Sequence, residues 1–323
     1  MRKFTTKLLL CCLLVCSLFV SQPETAKADT INGIQPILPV QYQKLLGKGM
    51  DVDWSKTKKG QETFHKTIVK DFKNAGINHV RIRVKDNVSQ DLFYHLDEQI
   101  RACLEAGIIP IIAYQANGFK NSASDEDMDK VVEWWSAVAE HYKNESYLLS
   151  FDMMIECTDA LNKQPDKLNE LYEKVVTAIR QTNPTRILMM SPRVRSDAQY
   201  LSELKVPTQA NGYMMAEWHF YASGPSKENE RKLWTTGTEK EKNLIRNKIQ
   251  LALEWQKKTG IPTWVGAWMA GNYNDGDDYS VKEQVIFAHF MVSELKKAGI
   301  PFAVNADTHF YDRENKTWIK KML

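Results

Sequence analysis

Three kinds of ionisable side chain stand out in this chain because each interrupts or closes a short apolar run. Glu156 ends the run Leu148–Glu156 (LLSFDMMIE). A carboxylate after so many apolar neighbours needs a reason. At a strand end that reason is proton transfer or charge pairing rather than solvation. Strand alternation would set Asp152, Met154 and Glu156 on one face. A later run, Gly212–Tyr221, puts Tyr213, Met215, Glu217, His219 and Tyr221 on one face, with His219 and Tyr221 near its end and Glu217 deeper. A His–Tyr pair can hydrogen-bond hydroxyl groups and orient a neighbouring carboxylate. Arg81 lies inside a third apolar run, with Arg83 two residues on. An arginine so placed must be paired, and it is expected to hold a carboxylate ionised or oriented.

These groups need a scaffold, and the chain supplies one by alternating two periods. Phe64, Ile68 and Phe72 mark a helix face, and His79–Val84 is a β-branched strand. Leu92, Leu96, Ile100 and Cys103 form the next helix, which stops at Gly107 before the strand Ile108–Tyr114. Val131, Trp135, Val138 and Tyr142 precede Leu148–Glu156. Leu168, Leu171, Val175 and Ile179 precede Arg186–Ser191, and a short helix near Ala198–Leu204 precedes Gly212–Tyr221. Ile245, Ile249 and Ala252 lead to Pro262–Gly266, and Val285, Ala288, Val292 and Leu295 lead to Pro301–Asn305. With Lys48–Trp54 as the first strand there are eight strand–helix units. That number predicts an α/β fold, a closed (β/α)8 TIM barrel in a single domain, with its chemistry at the C-terminal strand ends. An open doubly wound sheet would show a Gly-rich phosphate turn after the first strand, and GKGMDVDW is not one.

Residues 1–28 read as a targeting segment: Arg2, Lys3 and Lys7, an apolar stretch Leu8–Val20, and Ala26-Lys27-Ala28 as a cleavage site. A lipid anchor at Cys16 ranks second, because Val15 is bulky where a small residue is wanted. The expected product is secreted, possesses no membrane span, and is a monomer over residues 29–323. Its removal of Arg2, Lys3, Lys7 and Lys27 against Glu24 brings the 43 basic and 40 acidic residues to parity. No polyanion or nucleic-acid partner is implied. Cys103 and Cys157 are too few for a disulfide framework. Cys103 sits on an apolar helix face, while Cys157 follows Glu156 and could line a pocket. No histidine spacing suits a metal. NYNDGDDYS resembles a calcium loop in composition but lacks the alternating ligand register and reads as solvated. No cofactor is expected.

GINHVRIRV, SFDMMIECTDA, YMMAEWHFYASG and GIPTWVGAWMAG fall in the order and spacing of glycoside hydrolase family 5, the cellulase family, which this chain resembles over most of its length. The resemblance implies that Glu156 takes the place of the general acid/base, and that Arg81, His219 and Tyr221 are site residues. The family pattern departs at four points. Ile155 stands for the Asn before the acid/base, and Ala267, between Gly266 and Trp268, stands for the nucleophile. The histidine after the third strand is absent from AYQANGF, and the eighth-strand tryptophan is replaced in AVNAD, which carries Asn305 and Asp307.

A retaining mechanism needs two carboxylates roughly 5 Å apart, and alanine can neither attack nor stabilise the oxocarbenium ion. Glu217 and Asp307 are the candidate substitutes. Trp54 and Trp268 are candidate platforms for a pyranose face, with Asn305 beside them. Two functions are therefore expected in order: hydrolysis of O-glycosyl bonds in a β-linked glycan, or glycan binding by an inactive relative.

Overall fold

In the computed structural model, which describes residues 35–222, 233–271 and 279–319, each apolar run pairs with the next as a parallel strand. Residues 1–28, expected to be a targeting segment, and most of NYNDGDDYS lie outside the described residues. The strands are β1 Lys48–Ser55, β2 His79–Val84, β3 Ile109–Tyr114, β4 Ser150–Asp152, β5 Leu188–Met190, β6 Met214–Tyr221, β7 Thr263–Met269 and β8 Phe302–Val304. They close in sequence order, β8 pairing back onto β1, to form the expected (β/α)8 barrel. Helices follow where periodicity placed them, among them Gln90–Glu105, Asp125–His141, Pro165–Arg180, Glu239–Thr259 and Val281–Ala298. Their ends carry local signals. Thr238 and Ser280 make capping boxes with Glu241 and Glu283, and Gly260 and Gly299 close their helices in the left-handed conformation.

Three elements differ from the sequence reading. β4 ends at Asp152, so Glu156 lies beyond it in a loop with φ of 53°. Met154 packs in the layer between barrel and helices rather than beside Asp152. The last helix buries Phe287, Ala288, Met291 and Leu295, whereas Val285 is exposed.

The lumen changes character along its axis. At the bottom, Ile109, Ile111, Met189, Met215, Trp264 and Ala303 form an apolar plug, closed by Tyr42 and Leu46 of the helix Pro39–Leu46. One strand period higher the lumen is ionic: Asp51, Arg81, Asp152 and Glu217 are all buried. Inward-facing positions thus run Met215, Glu217, His219 up β6 and His79, Arg81, Arg83 up β2. This layering fixes which residues meet.

Outside the lumen, Arg186 bonds backbone instead of a carboxylate. It donates to the carbonyls of Ser146 (2.9 Å), Leu149 (2.8 Å), Tyr142 (2.8 Å) and Glu145 (3.0 Å), and to Asn183 Oδ1 (2.7 Å). Burial pulls its pKa down to about 10. The clamp gathers the chain entering β4 and β5. Arg186→Met strands four carbonyls, and we expect a loss of about 3 kcal/mol or more. In urea unfolding this lowers the midpoint at unchanged slope.

Candidate functional site

The site is built upward from Arg81. Its guanidinium is fully buried and touches Asp152 (Nε to Oδ2, 2.8 Å), Glu217 (Nη1 to Oε2, 3.4 Å) and Asp51 (Nη1 to Oδ2, 3.6 Å). Its pKa is raised: burial opposes the charge, but Glu217, Asp51 and Asp152 more than offset that. The carboxylates divide. Burial and the charge of Glu217 push the Asp152 pKa well up, and burial pushes Asp51 up as well. Glu217 is pulled down despite its burial, because Arg81 and His219 face it.

Above Arg81 sits His219, its Nε2 3.2 Å from Arg81 Nη1 and 3.4 Å from Glu217 Oε2. Its Nδ1 lies 3.0 Å from Glu156 Oε1. Burial lowers the imidazole's basicity, yet Glu217 and Glu156 together raise its pKa to about 9. The imidazole therefore bridges a buried carboxylate and a rim carboxylate. Glu156 is the outer one, its side chain 18% exposed where Glu217 is 0%. Burial would raise the Glu156 pKa, but His219, Arg195 and Lys120 bring it down to about 2. It rests as an anion, and so as a proton acceptor rather than a stored proton.

Strand β7 shapes the opposite wall. Trp218 pairs with Val265 but His219 pairs with Ala267, so Gly266 is an extra residue bulged into the strand. A Cβ on Gly266 would overlap Glu217 Oε2 and crowd Arg81 Nη1. Only glycine lets that carboxylate reach the β7 backbone. The bulge also shifts the alternation. Ala267 shares the inward face with His219, and Trp268 turns outward onto Phe287 (5.8 Å).

That shift corrects one expected platform. Trp268 is 3% exposed and packs among helices, so it offers no face to a sugar. Trp54 is corrected for the same reason. Asp51 and Asp53 take the inward positions of β1, and Trp54 is fully buried against Phe64 (5.0 Å) and Phe72 (5.9 Å). Asp307 is also spoken for: it accepts from Trp54 Nε1 (3.1 Å), the Asp53 amide (3.0 Å) and both Nε and Nη2 of Arg313 (2.8 and 2.9 Å). It is a buried structural anion, not a group poised for substrate. Asn305 accepts from Arg83 Nη1 (2.8 Å) and donates to the Tyr221 hydroxyl (3.1 Å), which ties β8 to β2 and β6 near the mouth. Cys103 and Cys157 are both free and buried, so Cys157 does not line an accessible pocket.

Several contributors escaped sequence reasoning. Lys120, on the helix Asn117–Ser122, is buried and donates to the Ile155 carbonyl (3.0 Å), directly behind Glu156. Burial lowers its pKa to about 8. Arg195 Nη1 reaches Glu156 Oε2 (3.4 Å), and Ser196 Oγ reaches Glu217 Oε1 (3.4 Å). Neither of these two residues carried a periodic signal. Asp51 did: DVD on β1 faces RIR on β2 at the same period, in register Asp51 to Arg81. Among the described residues no cluster of His, Cys, Asp and Glu is arranged to hold a metal.

A closed parallel barrel with a buried ion network rising to a carboxylate–histidine pair at the C-terminal strand ends defines a glycosidase-like barrel. The chain belongs to glycosyl hydrolase family 5, the cellulase family, whose model matches residues 40–306. It is similar to endoglucanase H of Acetivibrio thermocellus, 21% identical over 267 residues, covering 78% of this chain and 29% of that protein. A β-xylosidase of Phanerodontia chrysosporium is 21% identical over 221 residues, covering 60% of this chain and 45% of that one. The chain thus spans less than half the length of these curated relatives. In fold it is similar to a hyperthermophilic endo-β-1,4-glucanase solved with substrate (TM-score 0.77, 23% identity, 88% of this chain and 97% of that one). It is also similar to the cellulose synthase subunit Z of Clostridioides difficile (TM-score 0.73, 19% identity, 84% and 96%).

The ion network sets three expected outcomes. The Glu156 contribution to stability is present above its unfolded pKa of 4.5 and is lost as pH falls through about 2. The His219 contribution is present below 6.5 and is lost as pH rises through about 9. Melting temperature should therefore plateau between these unfolded values. Glu156→Gln should lose about 3 kcal/mol on that plateau and bring the alkaline decline to lower pH. Gly266→Ala should cost roughly 1–3 kcal/mol by displacing Glu217, visible as a lower urea midpoint.

Proposed function

We propose that this protein acts on a β-linked glycan at the mouth of the barrel and hydrolyses its O-glycosyl bonds, with Glu156 as the acid/base carboxylate. The observation that carries the reading is the position of Glu156. It stands at the rim, hydrogen-bonded to His219, while the other carboxylates of the ion network lie beneath it, and the motif resemblance supports giving it the acid/base role. Tyr221 lies beside the same opening, its hydroxyl held by the buried Asn305, which steadies the group that would meet a sugar hydroxyl. The names of its relatives, endoglucanases and a β-xylosidase, support a glucan- or xylan-type backbone. The targeting segment at residues 1–28 supports export, where such polymers are met.

With Ala267 in the nucleophile place, covalent attack on the anomeric carbon has no group there. Glu217 is buried and Asp307 is bound on both oxygens. Hydrolysis in this site then rests on Glu156 taking a proton from the attacking water as the anomeric C–O bond breaks, with the leaving oxygen protonated by solvent, which is slower than the two-carboxylate route. A second reading, glycan binding without turnover, is favoured by that same shortage of an accessible second carboxylate.

One experiment separates the two. The protein is incubated with aryl β-glucosides, β-xylosides and β-cellobiosides, with and without azide, and binding of cello- and xylo-oligosaccharides is measured in parallel. Hydrolysis that falls at least about 100-fold in Glu156→Gln supports the enzyme. Turnover appearing only with azide marks an empty nucleophile place. Measurable oligosaccharide binding with no turnover on the whole panel overturns hydrolysis in favour of binding.

A further inference from the structure

The segment after β5 contains a feature that the family comparison does not explain. Val194, Arg195 and Ser196 are three consecutive non-glycine residues with φ of 56°, 55° and 60°. L-residues avoid this left-handed region, and a β-branched residue avoids it most. Such a turn persists only where its surroundings over-determine it. Here they do. The Val194 amide donates to Asn162 Oδ1 (2.6 Å), and the Arg195 amide donates to the carbonyl of Cys157 (3.0 Å), the residue after Glu156. Asp197 then forms a parallel bridge with His219.

The turn's product is the placement of two adjacent side chains. Arg195 goes to the rim carboxylate and Ser196 goes to the buried one. Glu156 itself is left-handed, at φ of 53°, and Lys120 holds the carbonyl that precedes it. Its two oxygens are divided: Oε1 to His219 on β6 and Oε2 to Arg195 on the turn. The charged groups facing Glu156 are therefore His219, Arg195 and Lys120, with Glu217 behind the imidazole and Asp159 near Lys120.

We propose that Arg195 is a positioning residue for Glu156, delivered by the left-handed turn to hold the carboxylate's second oxygen so that Glu156 meets a hydroxyl group, of a glycan or of water, as hydrogen-bond acceptor and base. The glycan part rests on the function proposed above. The state of the carboxylate does not. An incidental rim ion pair would need no strained turn, and it would not be stapled by backbone on both sides.

The test reads the carboxylate directly. Protein labelled with 13C at glutamate side-chain carboxyls is followed by NMR between pH 7 and pH 4, with Glu156→Gln identifying the resonance. In the wild type the Glu156 signal should hold its ionised position throughout. In Arg195→Gln it should be displaced toward the acid form at pH 4, with a protonated fraction there about tenfold that of the wild type, as a midpoint one pH unit higher gives. Arg195→Lys, which keeps a cation on the same turn, should restore most of the ionised position. A Glu156 signal that titrates alike in wild type and Arg195→Gln overturns the proposal, as does one that is already protonated at pH 4 in the wild type. Where aryl glycoside turnover is found, the acid limb of kcat/KM should move with the NMR midpoint in Arg195→Gln while KM stays constant. Absence of all turnover would count against the hydrolase and leave the NMR result standing.

Discussion

Arg81 is the charge on which the upper barrel depends. A guanidinium with no exposure to water can remain in a strand only if carboxyl groups surround it, and here Asp152, Glu217 and Asp51 do so. Asp51 also meets Arg83 (3.5 Å) and Glu217 also meets His219 (3.4 Å), but Arg81 is the cation common to all three. Removing the arginine would leave several carboxyl groups buried against each other. The histidine above it exists in the same field. Because Arg81 holds Glu217 as an anion, Glu217 can in turn support a protonated His219, and His219 can fix Glu156 at the rim. Charge alternates from the middle of the barrel to its mouth, and each link is oriented by the one below.

This chain of alternating charge explains why the rim carboxylate is an acceptor at rest. Proton donors in a retaining site are kept protonated by an apolar pocket or a nearby anion. Glu156 has the reverse surroundings: three cations from three different elements. Ala267 adds no charge to oppose them.

The barrel was legible because each strand is a continuous apolar run and each helix shows its own period. Those signals depend only on burial. The inward face of β6 was legible for the same reason, and it placed Glu217, His219 and Tyr221 in one column. Local backbone departures were not. The bulge at Gly266 reversed the alternation and sent Trp268 outward, and the early end of β4 placed Glu156 on a loop instead of a strand. Trp54 was misread because two aspartates, not a tryptophan, take the inward positions of β1. Arg195 and Lys120 left no trace, since a left-handed turn without glycine and a buried lysine on a short helix have no repeating pattern. In each case what was lost is a deviation from ideal geometry, and those deviations assemble the site.

The bulged glycine also ties two positions together. Glu217 leans on the β7 backbone at Gly266, one residue before Ala267, and both 217 and 267 belong to the neighbourhood of the same imidazole. An acid placed at 267 would be a third carboxylate competing for His219. The effect of a charge at 267 therefore depends on what stands at 217, and exchanges at the two sites should be non-additive.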